Sequence, residues 1–350
     1  AAGGDAAHAQ TGADKWVMPD EAERHKRTWM AFGASAKIWG NKLLPEVQRN
    51  LALIANTISE FKPVTMLVRG TELSLAKRML SSKVETVACP LDDLWIRDTG
   101  PVFVINKARD ATTRKACVDF NFNGWGEKQA FAQDALVAQF IAKQAEVNVR
   151  ATRLVLEGGG IEVDGQGSAV ISESCVLVDN RNPGLTKAQC ERALLELIGV
   201  TKVIWIPGVK GKDITDGHTD FYARFARPGV VVAGYDADAG SFDHAVTKRN
   251  IEVLRQATDA RGKALEVITL TAPQSVRKAF ESNEFAAGYV GFYVCNGAVV
   301  AQEFGDKRAD RSARDTLTRA FPGRKIIQLN VDGIAAGGGS IHCATQQEPL

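Results

Sequence analysis

The chain ends in the stretch GGGSIHCATQQEPL, residues 337–350, in which three glycines lead into Ser340, His342 and Cys343. The Ser-Ile-His-Cys segment is typical of a strand-like step close to the end of the chain. A free cysteine most often packs as a small, buried hydrophobic residue. A nucleophilic cysteine needs a base and an orienting group from elsewhere in the fold. The rest of the sequence therefore decides between these two interpretations of Cys343.

The composition is that of an ordinary globular protein. Of the 350 residues, 45% are hydrophobic and 24% are charged, and the formal net charge is +2. No block of Lys or Arg provides the concentrated basic field that nucleic acid or an anionic membrane surface attracts. No apolar run approaches the roughly 18 residues of a membrane span. We therefore expect neither nucleic acid nor membrane as a partner.

The first residues, AAGGDAAHAQTGADKW, form a small-residue, polar tail of the kind that remains after a leader is removed. We expect residues 1–15 to be a flexible tail and residues 16–350 to be one catalytic α/β domain. The tail favours export, to the periplasm or the medium, over a cytoplasmic location.

Six cysteines are scattered along the chain without the dense spacing of a disulfide scaffold and without a C-x-x-C pair for zinc. Most of them stand beside Val or Leu. The five that we expect to pack in the core are Cys89, Cys117, Cys175, Cys190 and Cys295. Because five is an odd number, at least one of them should stay reduced.

The apolar pattern predicts an α/β protein. Residues at three- and four-residue spacing predict amphipathic helices in the segments 43–61, 130–147, 185–200, 244–262 and 309–321. Short β-rich runs lie between them, including VTMLVR, SAVISESCVLV (residues 168–178) and GVVVAGY. Asn296-Gly297 predicts a tight hairpin turn. Helices that alternate with strands usually indicate βαβ units.

Polar, glycine-flanked stretches interrupt this pattern at nearly even intervals. Asp98 in WIRDTGP lies 59 residues before Glu157 in LEGGG, and Glu157 lies 61 residues before His218 in TDGHTD. Cys343 follows His218 by 125 residues, close to two further steps. A period of this size is typical of a repeat architecture. We predict five α/β modules around an axis, with distant residues meeting in one central pocket; a doubly wound sheet is the alternative.

The first two stretches carry possible site residues. Arg97 and Asp98 could form a solvated turn pair, but Trp95 beside them also suits a pocket that stacks and pairs a cation. The glycines of LEGGG do not form a nucleotide fingerprint. Glu157, which ends an apolar run, is an acid at the end of a buried strand and needs a partner.

The stretch GKDITDGHTDFY, residues 211–222, holds His218 among several aspartates. A metal site is one interpretation, but no second histidine lies nearby. In an extended segment, His218 and Asp220 would point to the same face. By the same rule His342 would face away from Cys343. We therefore expect His342 to be structural and His218 to be the base for Cys343.

A thiol, an imidazole and three carboxylates form an unusual set. Extra carboxylates beside a nucleophile repel its thiolate, so they indicate a cationic substrate. A guanidinium is planar and pairs with carboxylates through two bonds at a time. Two aspartates would hold its carbon for attack by sulfur, and its charge would help to ionise the thiol.

Five motifs resemble, in order and spacing, the signatures of the agmatine deiminase family: WIRDTGP, FNFNGWGEK, LEGGG, TDGHTD and GGGSIHCATQQEP. That family includes bacterial peptidyl-arginine deiminases and belongs to the guanidine-modifying superfamily with the five-bladed α/β-propeller, or pentein, fold. The resemblance covers the chain from about Trp16 to Pro349.

The resemblance implies a role for seven residues. They are Cys343 as nucleophile, His218 as general acid and base, Asp98 and Asp220 as guanidinium clamps, Glu157 as a carboxylate that holds His218 or the substrate, and Trp95 and Trp125 as pocket walls. The implied reaction converts agmatine to N-carbamoylputrescine and ammonia through a covalent S-alkylthiouronium intermediate. It uses no metal or organic cofactor.

Four positions depart from the family pattern. Ile214 stands where agmatine deiminases usually have an acid, and Phe221 where they commonly have Asn. Gly288 and Gly291 replace polar residues in GYVGF. The loss of an acid weakens the case for agmatine, whose distal amine is positive, and leaves peptidyl-arginine or free arginine as alternatives.

Other classes of protein are also open. An amidinotransferase would need a second amine site, and a silent guanidinium-binding protein would be expected to have a damaged catalytic set. A cysteine protease leaves the carboxylates unexplained. A small guanidino substrate is the expected partner, and a homodimer is one expectation for the assembly.

Overall fold

The structure, a computed structural model, describes residues 15–350. All but the last residue of the tail predicted for residues 1–15 lies outside this range. Within the range, no helix combines the length and the apolar character that a membrane span requires.

Strands and helices alternate along the described chain. Its sixteen strands are β1 (His25–Phe32), β2 (Val64–Val68), β3 (Val84–Ala88), β4 (Val102–Ile105), β5 (Lys115–Val118), β6 (Asn148–Arg150), β7 (Ile161–Val163), β8 (Ser168–Ser172), β9 (Lys202–Ile206), β10 (Ala223–Arg227), β11 (Val230–Tyr235), β12 (Glu266–Thr271), β13 (Tyr293–Cys295), β14 (Ala298–Gln302), β15 (Lys325–Leu329) and β16 (Gln346–Pro349). Its eleven α-helices are α1 (Ala36–Ser59), α2 (Leu73–Met79), α3 (Ile96–Thr99), α4 (Gly124–Glu127), α5 (Val137–Gln144), α6 (Glu173–Val176), α7 (Lys187–Ile198), α8 (Thr219–Tyr222), α9 (Phe242–Gln256), α10 (Lys307–Ala320) and α11 (Asp332–Ala336). Single 3₁₀ turns are formed by Gly70–Glu72, Asp134–Leu136, Gly158–Gly160 and Lys278–Phe280.

Five small sheets are built from the same unit. In each unit an antiparallel pair of strands is followed by a helix and then by a third strand that runs parallel to the second. A short turn can join antiparallel neighbours, whereas parallel neighbours need a crossover, which the helix supplies. The sheets are β4-β5-β6, β7-β8-β9, β10-β11-β12, β13-β14-β15 and β16-β1-β2-β3.

The two ends of the described chain meet in the last of these sheets. β16 pairs antiparallel with β1, so that Trp29 lies opposite Gln346. The indole Nε1 of Trp29 also donates to Glu348 Oε2 over 3.1 Å. The units form a five-bladed α/β propeller, which confirms the predicted fold. The doubly wound alternative is wrong, because no sheet within residues 15–350 has more than four strands.

The five predicted amphipathic helices are present as α1, α5, α7, α9 and α10. Thr186 caps α7: its side chain accepts from the backbone N–H of Gln189, whose side chain in turn accepts from the backbone N–H of Thr186. The Asn296-Gly297 turn also joins β13 to β14, where Cys295 pairs with Ala298.

One predicted strand is shorter than expected. The apolar run SAVISESCVLV forms β8 only as far as Ser172, and α6 begins at Glu173. All five residues of β8 are buried because it is the middle strand of its blade. A run that is apolar on both faces does not show by periodicity alone where the strand ends.

The four functional stretches occupy equivalent places in their blades. Each lies directly before the first strand of a blade: α3 precedes β4, the turn Gly158–Gly160 precedes β7, α8 precedes β10, and residues 340–345 precede β16. The segment of residues 288–292 has the same place before β13. The sixty-residue period is therefore the length of one blade, and the 125 residues between His218 and Cys343 span two blades.

Candidate active site

Asp98 is held in a buried position by α3, a single helical turn. Its Oδ2 accepts from Trp125 Nε1 over 3.0 Å, and its Oδ1 accepts from the backbone N–H of Gly159 over 3.1 Å. Arg97 is also buried and donates to Gln346 Oε1 over 2.8 Å. The interpretation of Arg97 and Asp98 as a solvated turn pair is therefore wrong.

Trp125 reaches Asp98 through an unusual backbone. Trp125 has φ 56°, between Gly124 at φ 68° and Gly126 at φ 83°. A left-handed conformation costs a residue other than glycine about 1–2 kcal/mol. The indole nevertheless hydrogen-bonds to Asp98 and packs edge-on against Phe122, with the ring centroids 5.0 Å apart.

The other tryptophan expected to line the pocket, Trp95, lies below the glycine-rich segment that leads to Cys343. Trp95 is buried and packs on Trp39, with the ring centroids 5.7 Å apart. A Cβ atom placed on Gly339 would lie 2.1 Å from the Trp95 ring, so the glycine-rich segment before Cys343 passes directly over this ring.

His218 lies immediately before α8, and a chain of buried charged side chains fixes its ring. Its Nε2 lies 3.2 Å from Glu157 Oε2. The other oxygen of Glu157 accepts from Arg181 Nε over 2.9 Å, and Arg181 Nη1 donates to Asp216 Oδ2 over 2.8 Å. All four side chains are buried. This chain of contacts turns the second ring nitrogen of His218 toward Asp98, whose Oδ2 is 3.8 Å from Nδ1.

Three polar groups converge above Gly159. A Cβ atom on Gly159 would lie 2.6 Å from His218 Nδ1, 3.0 Å from Asp98 Oδ1 and 3.1 Å from Asp220 Oδ2. His218 and Asp220 thus face the same point, as expected, although the reason given for it was wrong. The segment is not extended: Asp220 lies within the helical turn α8.

Cys343 completes this group from the last blade. Its Sγ lies 3.7 Å from Asp220 Oδ2 and 3.2 Å from Ser340 Oγ. As a residue Cys343 is partly exposed, whereas the other five cysteines are buried, and all six are free. The strand-like interpretation of the Ser-Ile-His-Cys step is wrong, because residues 341–344 form turns and the final strand begins at Gln346.

His342 does not lie where alternation along a strand would place it. Its Nδ1 is 2.7 Å from Asp220 Oδ2, and its Nε2 is 2.7 Å from Glu21 Oε2. The ring is buried and contacts a carboxylate at each end. His342 therefore contacts a predicted site residue.

The carboxylates of the site shift the pKa values of His218 and Cys343. Burial alone would lower the pKa of His218, but Asp98, Glu157 and Asp220 together raise it to about 9. Burial raises the pKa of the Cys343 thiol well above its ordinary value, and Asp220 and Asp98 raise it further. Near neutral pH the site therefore contains an imidazolium at His218 and a protonated thiol at Cys343.

The three carboxylates differ in their environment. Burial raises the pKa of Asp98 and is only partly offset by His218. Burial acts in the same direction on Glu157 and Asp220, but their partners outweigh it. The pKa of Glu157 is lowered by His218 and Arg181, and that of Asp220 by His342 and His218. A bound cation would stabilise the ionised form of all three.

The four departures from the family pattern have different surroundings. The Phe221 ring fills the space beside Gly288, where a Cβ would lie 3.2 Å from it. A Cβ on Gly291 would lie 2.3 Å from Ser340 Cβ, so this position needs a glycine. Ile214 is 37% exposed, and its carbonyl accepts from Lys128 Nζ over 3.1 Å.

Several residues of the site gave little signal in the sequence. Arg181 stands in the loop VDNRNPG, and Glu21 in a polar segment near the start of the described chain. The sequence indicated that Glu157 needs a partner, but no local pattern indicated that this partner is Arg181. Within residues 15–350, no group of three or more His, Cys, Asp or Glu side chains is arranged to hold a metal ion.

Gly159→Ala is expected to lower kcat/KM about 100-fold, because its methyl group would occupy the point on which the three polar groups converge. The φ angle of Gly159 is not positive, so alanine strains the site and not the backbone. Gly70→Ala is the matched control, since nothing lies within 4 Å of a Cβ at that position. Steady-state assays of both variants check this, and an unimpaired Gly159→Ala enzyme would place the reacting group elsewhere.

The five-bladed propeller places this protein in the pentein class of guanidine-modifying proteins. More closely, the chain belongs to the family of Porphyromonas-type peptidyl-arginine deiminases, whose family model matches residues 17–349. A protein of Streptomyces coelicolor, provisionally named an agmatine deiminase, is 38% identical over 340 residues, which cover 95% of this chain and 98% of that one.

Two further relatives carry the name agmatine deiminase. That of Pseudomonas aeruginosa (strain LESB58) is 34% identical over 360 residues, covering 96% of each chain. The solved structure of the agmatine deiminase of Enterococcus faecalis matches with a TM-score of 0.89 at 32% identity and covers 97% of each chain. These similarities confirm the family predicted from the motifs.

Proposed function

We propose that this protein hydrolyses the guanidinium group of agmatine and releases N-carbamoylputrescine and ammonia. The observation that carries the proposal is the convergence of Asp98, His218 and Asp220 above Gly159, with the Cys343 thiol 3.7 Å from Asp220. The names of the related enzymes favour agmatine as the substrate.

Substrate binding follows from the two aspartates. A guanidinium placed above Gly159 would donate to Asp98 on one side and to Asp220 on the other, through charge-assisted hydrogen bonds. Its positive charge stabilises the carboxylates and lowers the cost of ionising the Cys343 thiol. Both aspartates are fixed by other contacts before the substrate arrives, so little reorganisation is needed.

In the first half of the reaction, the Cys343 thiol loses its proton to solvent once the cationic substrate is bound, and the thiolate attacks the guanidinium carbon to form a C–S bond. His218, protonated below about pH 9, donates a proton to the departing nitrogen through Nδ1. The C–N bond breaks and ammonia leaves. An S-alkylthiouronium cation remains on Cys343 and is still paired with the aspartates.

The second half regenerates the enzyme. His218 is now neutral and takes a proton from a water molecule, which attacks the same carbon. The C–S bond breaks as the hydroxyl group of the adduct loses its proton, the ureido product forms, and the departing thiolate takes up a proton to restore the thiol. Glu157 fixes the orientation of the imidazole through both steps because Arg181 holds the carboxylate in place.

The shape of the site favours a slender substrate. Asp98, His218, Asp220 and Trp125 are each no more than 6% exposed, whereas residue Cys343 is partly exposed. An alkyl chain without branches enters such a site at a lower steric cost than a peptide backbone. This supports agmatine over arginine within a protein.

A second candidate, free or peptidyl arginine, is favoured by one observation. The apolar side chain of Ile214 is exposed, and its carbonyl binds the ammonium of Lys128. A positive group at this position would attract a carboxylate or a carbonyl and would repel a distal ammonium. Lys128 is also bonded to Asp216, which reduces that effect.

The test compares agmatine, free arginine and an N-acylated arginine peptide, with ammonia and ureido product measured in parallel. We expect kcat/KM to be highest for agmatine. A preference for the peptide or for arginine would favour the second candidate. Absence of turnover of all three by the folded enzyme would contradict deimination of these substrates.

A further inference from the structure

His342 bridges two carboxylates that come from distant parts of the chain. Its Nδ1 lies 2.7 Å from Asp220 Oδ2 and its Nε2 lies 2.7 Å from Glu21 Oε2. These distances are typical of charge-assisted hydrogen bonds. His342, Glu21 and Asp220 are each at most 6% exposed, so water does not compete for the contacts.

The two hydrogen bonds of His342 determine how many protons this bridge contains. A neutral imidazole has one N–H and can donate to only one carboxylate, whereas an imidazolium donates to both. If His342 were neutral, one of the two carboxyl groups would have to carry the missing proton. The bridge therefore contains two protons, and the question is where they lie.

Glu21 is held in its ionised form from other directions. Its Oε1 accepts from the backbone N–H of Val294 over 2.8 Å and lies 2.9 Å from Arg224 Nη2. Arg97 Nη2 donates to its other oxygen over 3.4 Å. Burial alone would raise the pKa of Glu21, but Arg224 and His342 hold it well below its usual range.

Burial acts to raise the pKa of Asp220, but in addition to His342 the charges of His218 and Arg224 lower it and favour the ionised form. With both carboxylates charged, both protons of the bridge belong to His342. Asp220 and Glu21 contact the ring, and four further titratable or charged groups lie around them: Arg97 of α3, Arg224 of β10, Glu162 of β7 and Cys343 on the same turn as His342.

We infer that His342 is a positioning residue, a permanent imidazolium held by Glu21 that keeps Asp220 ionised and aimed at the substrate. It transfers no proton to the reacting atoms. Its charge offsets the repulsion between Asp220 and both Asp98 and the thiolate, so the guanidinium meets a fixed anion. The inference rests on the proposed function for its catalytic meaning, but the charge of His342 can be measured without turnover.

The kinetic test uses His342→Gln, which can keep one hydrogen bond but loses the charge. Because His342 is the partner that lowers the pKa of Asp220 most, that pKa should rise without the neighbouring cation, which moves the acidic limb of kcat/KM to higher pH. We expect kcat/KM to fall about 10- to 100-fold, mainly through KM, as is usual for groups that orient a binding residue. An unshifted acidic limb in a folded His342→Gln enzyme would overturn the inference.

The direct test is nitrogen-15 NMR of protein labelled at its five histidines, with the His342 signals assigned from the His342→Gln variant. We expect both ring nitrogens of His342 to be protonated at pH 7.5 in the wild-type protein. A single protonated nitrogen there would contradict the inference, whatever the activity. If no guanidino substrate is turned over, the proposed function fails while this result still decides the charge.

Two matched variants separate positioning from general stability. Glu21→Gln removes the carboxylate that holds the imidazolium and should leave Nε2 unprotonated, with a rise in KM. Glu348→Gln removes another buried carboxylate, one that is bonded to Trp29 and Lys115 and not to the groups around His342. It should lower the melting temperature without a change in the histidine signals or the pH profile. Identical effects of both variants would show that Glu21 acts only on stability.

Discussion

Cys343→Ala is expected to abolish the turnover of agmatine, with a fall in kcat of about 10⁵-fold or more, as for other enzymes that lose their nucleophile. Both halves of the proposed reaction need the sulfur atom, first as attacking group and then as leaving group. The aspartates should remain in place, because Asp98 keeps its bonds to Trp125 and Gly159, and Asp220 keeps its bond to His342.

The measurement combines steady-state ammonia release with calorimetric binding of agmatine. The variant should still bind agmatine, since the two clamps are untouched. Cys89→Ala is the matched control: it also removes a thiol, but one that is buried and bonds to the carbonyl of Pro90. It should keep its turnover. Substantial turnover by Cys343→Ala would rule out the covalent route.

His218→Gln is expected to lower kcat by about 10⁴-fold, at the upper end of the range for general acid–base groups, because His218 acts in both halves of the reaction. Glutamine can still accept or donate a hydrogen bond near Glu157 but cannot carry a proton to ammonia. The same change removes the positive charge that lies between the three carboxylates, which adds to the loss.

The pH profile gives a second readout for this residue. The raised pKa of His218 keeps the general acid protonated below about pH 9, and the acid is lost as the pH rises through that value. The wild-type rate should therefore fall above about pH 9, and the variant should lack this limb. His244→Gln, which changes a histidine bonded only to the carbonyl of Asp236 through Nδ1, serves as the control. An identical basic limb in His218→Gln would assign it to another group.

The sequence was sufficient for the architecture because the repeat leaves its period in the chain. Asp98, Glu157, His218 and Cys343 all stand directly before the first strand of a blade, so their spacing measures the blade length. Apolar periodicity located the five long helices because it depends only on residues three and four positions apart. What it could not locate was the end of β8, where strand and helix share one apolar run.

The side-chain geometry of the site depends on contacts that no local rule contains. Side chains alternate in direction only along an extended strand, whereas the segments that carry His218 and His342 contain turns. The expected direction of His342 is therefore wrong. The partners of the site residues are also remote in sequence. Glu21 is 321 residues from His342, and Arg181 reaches Glu157 from a loop without a motif. Only the closed ring of blades brings these pairs together.

The proposed reaction requires a covalent intermediate at Cys343. Intact-protein mass spectrometry can detect it after rapid acid quenching of the enzyme with agmatine. We predict an added mass equal to agmatine less ammonia, located on the peptide that contains Cys343 and absent from Cys343→Ala. Turnover of agmatine without any such species, under conditions in which the second half of the reaction is rate-limiting, would contradict it.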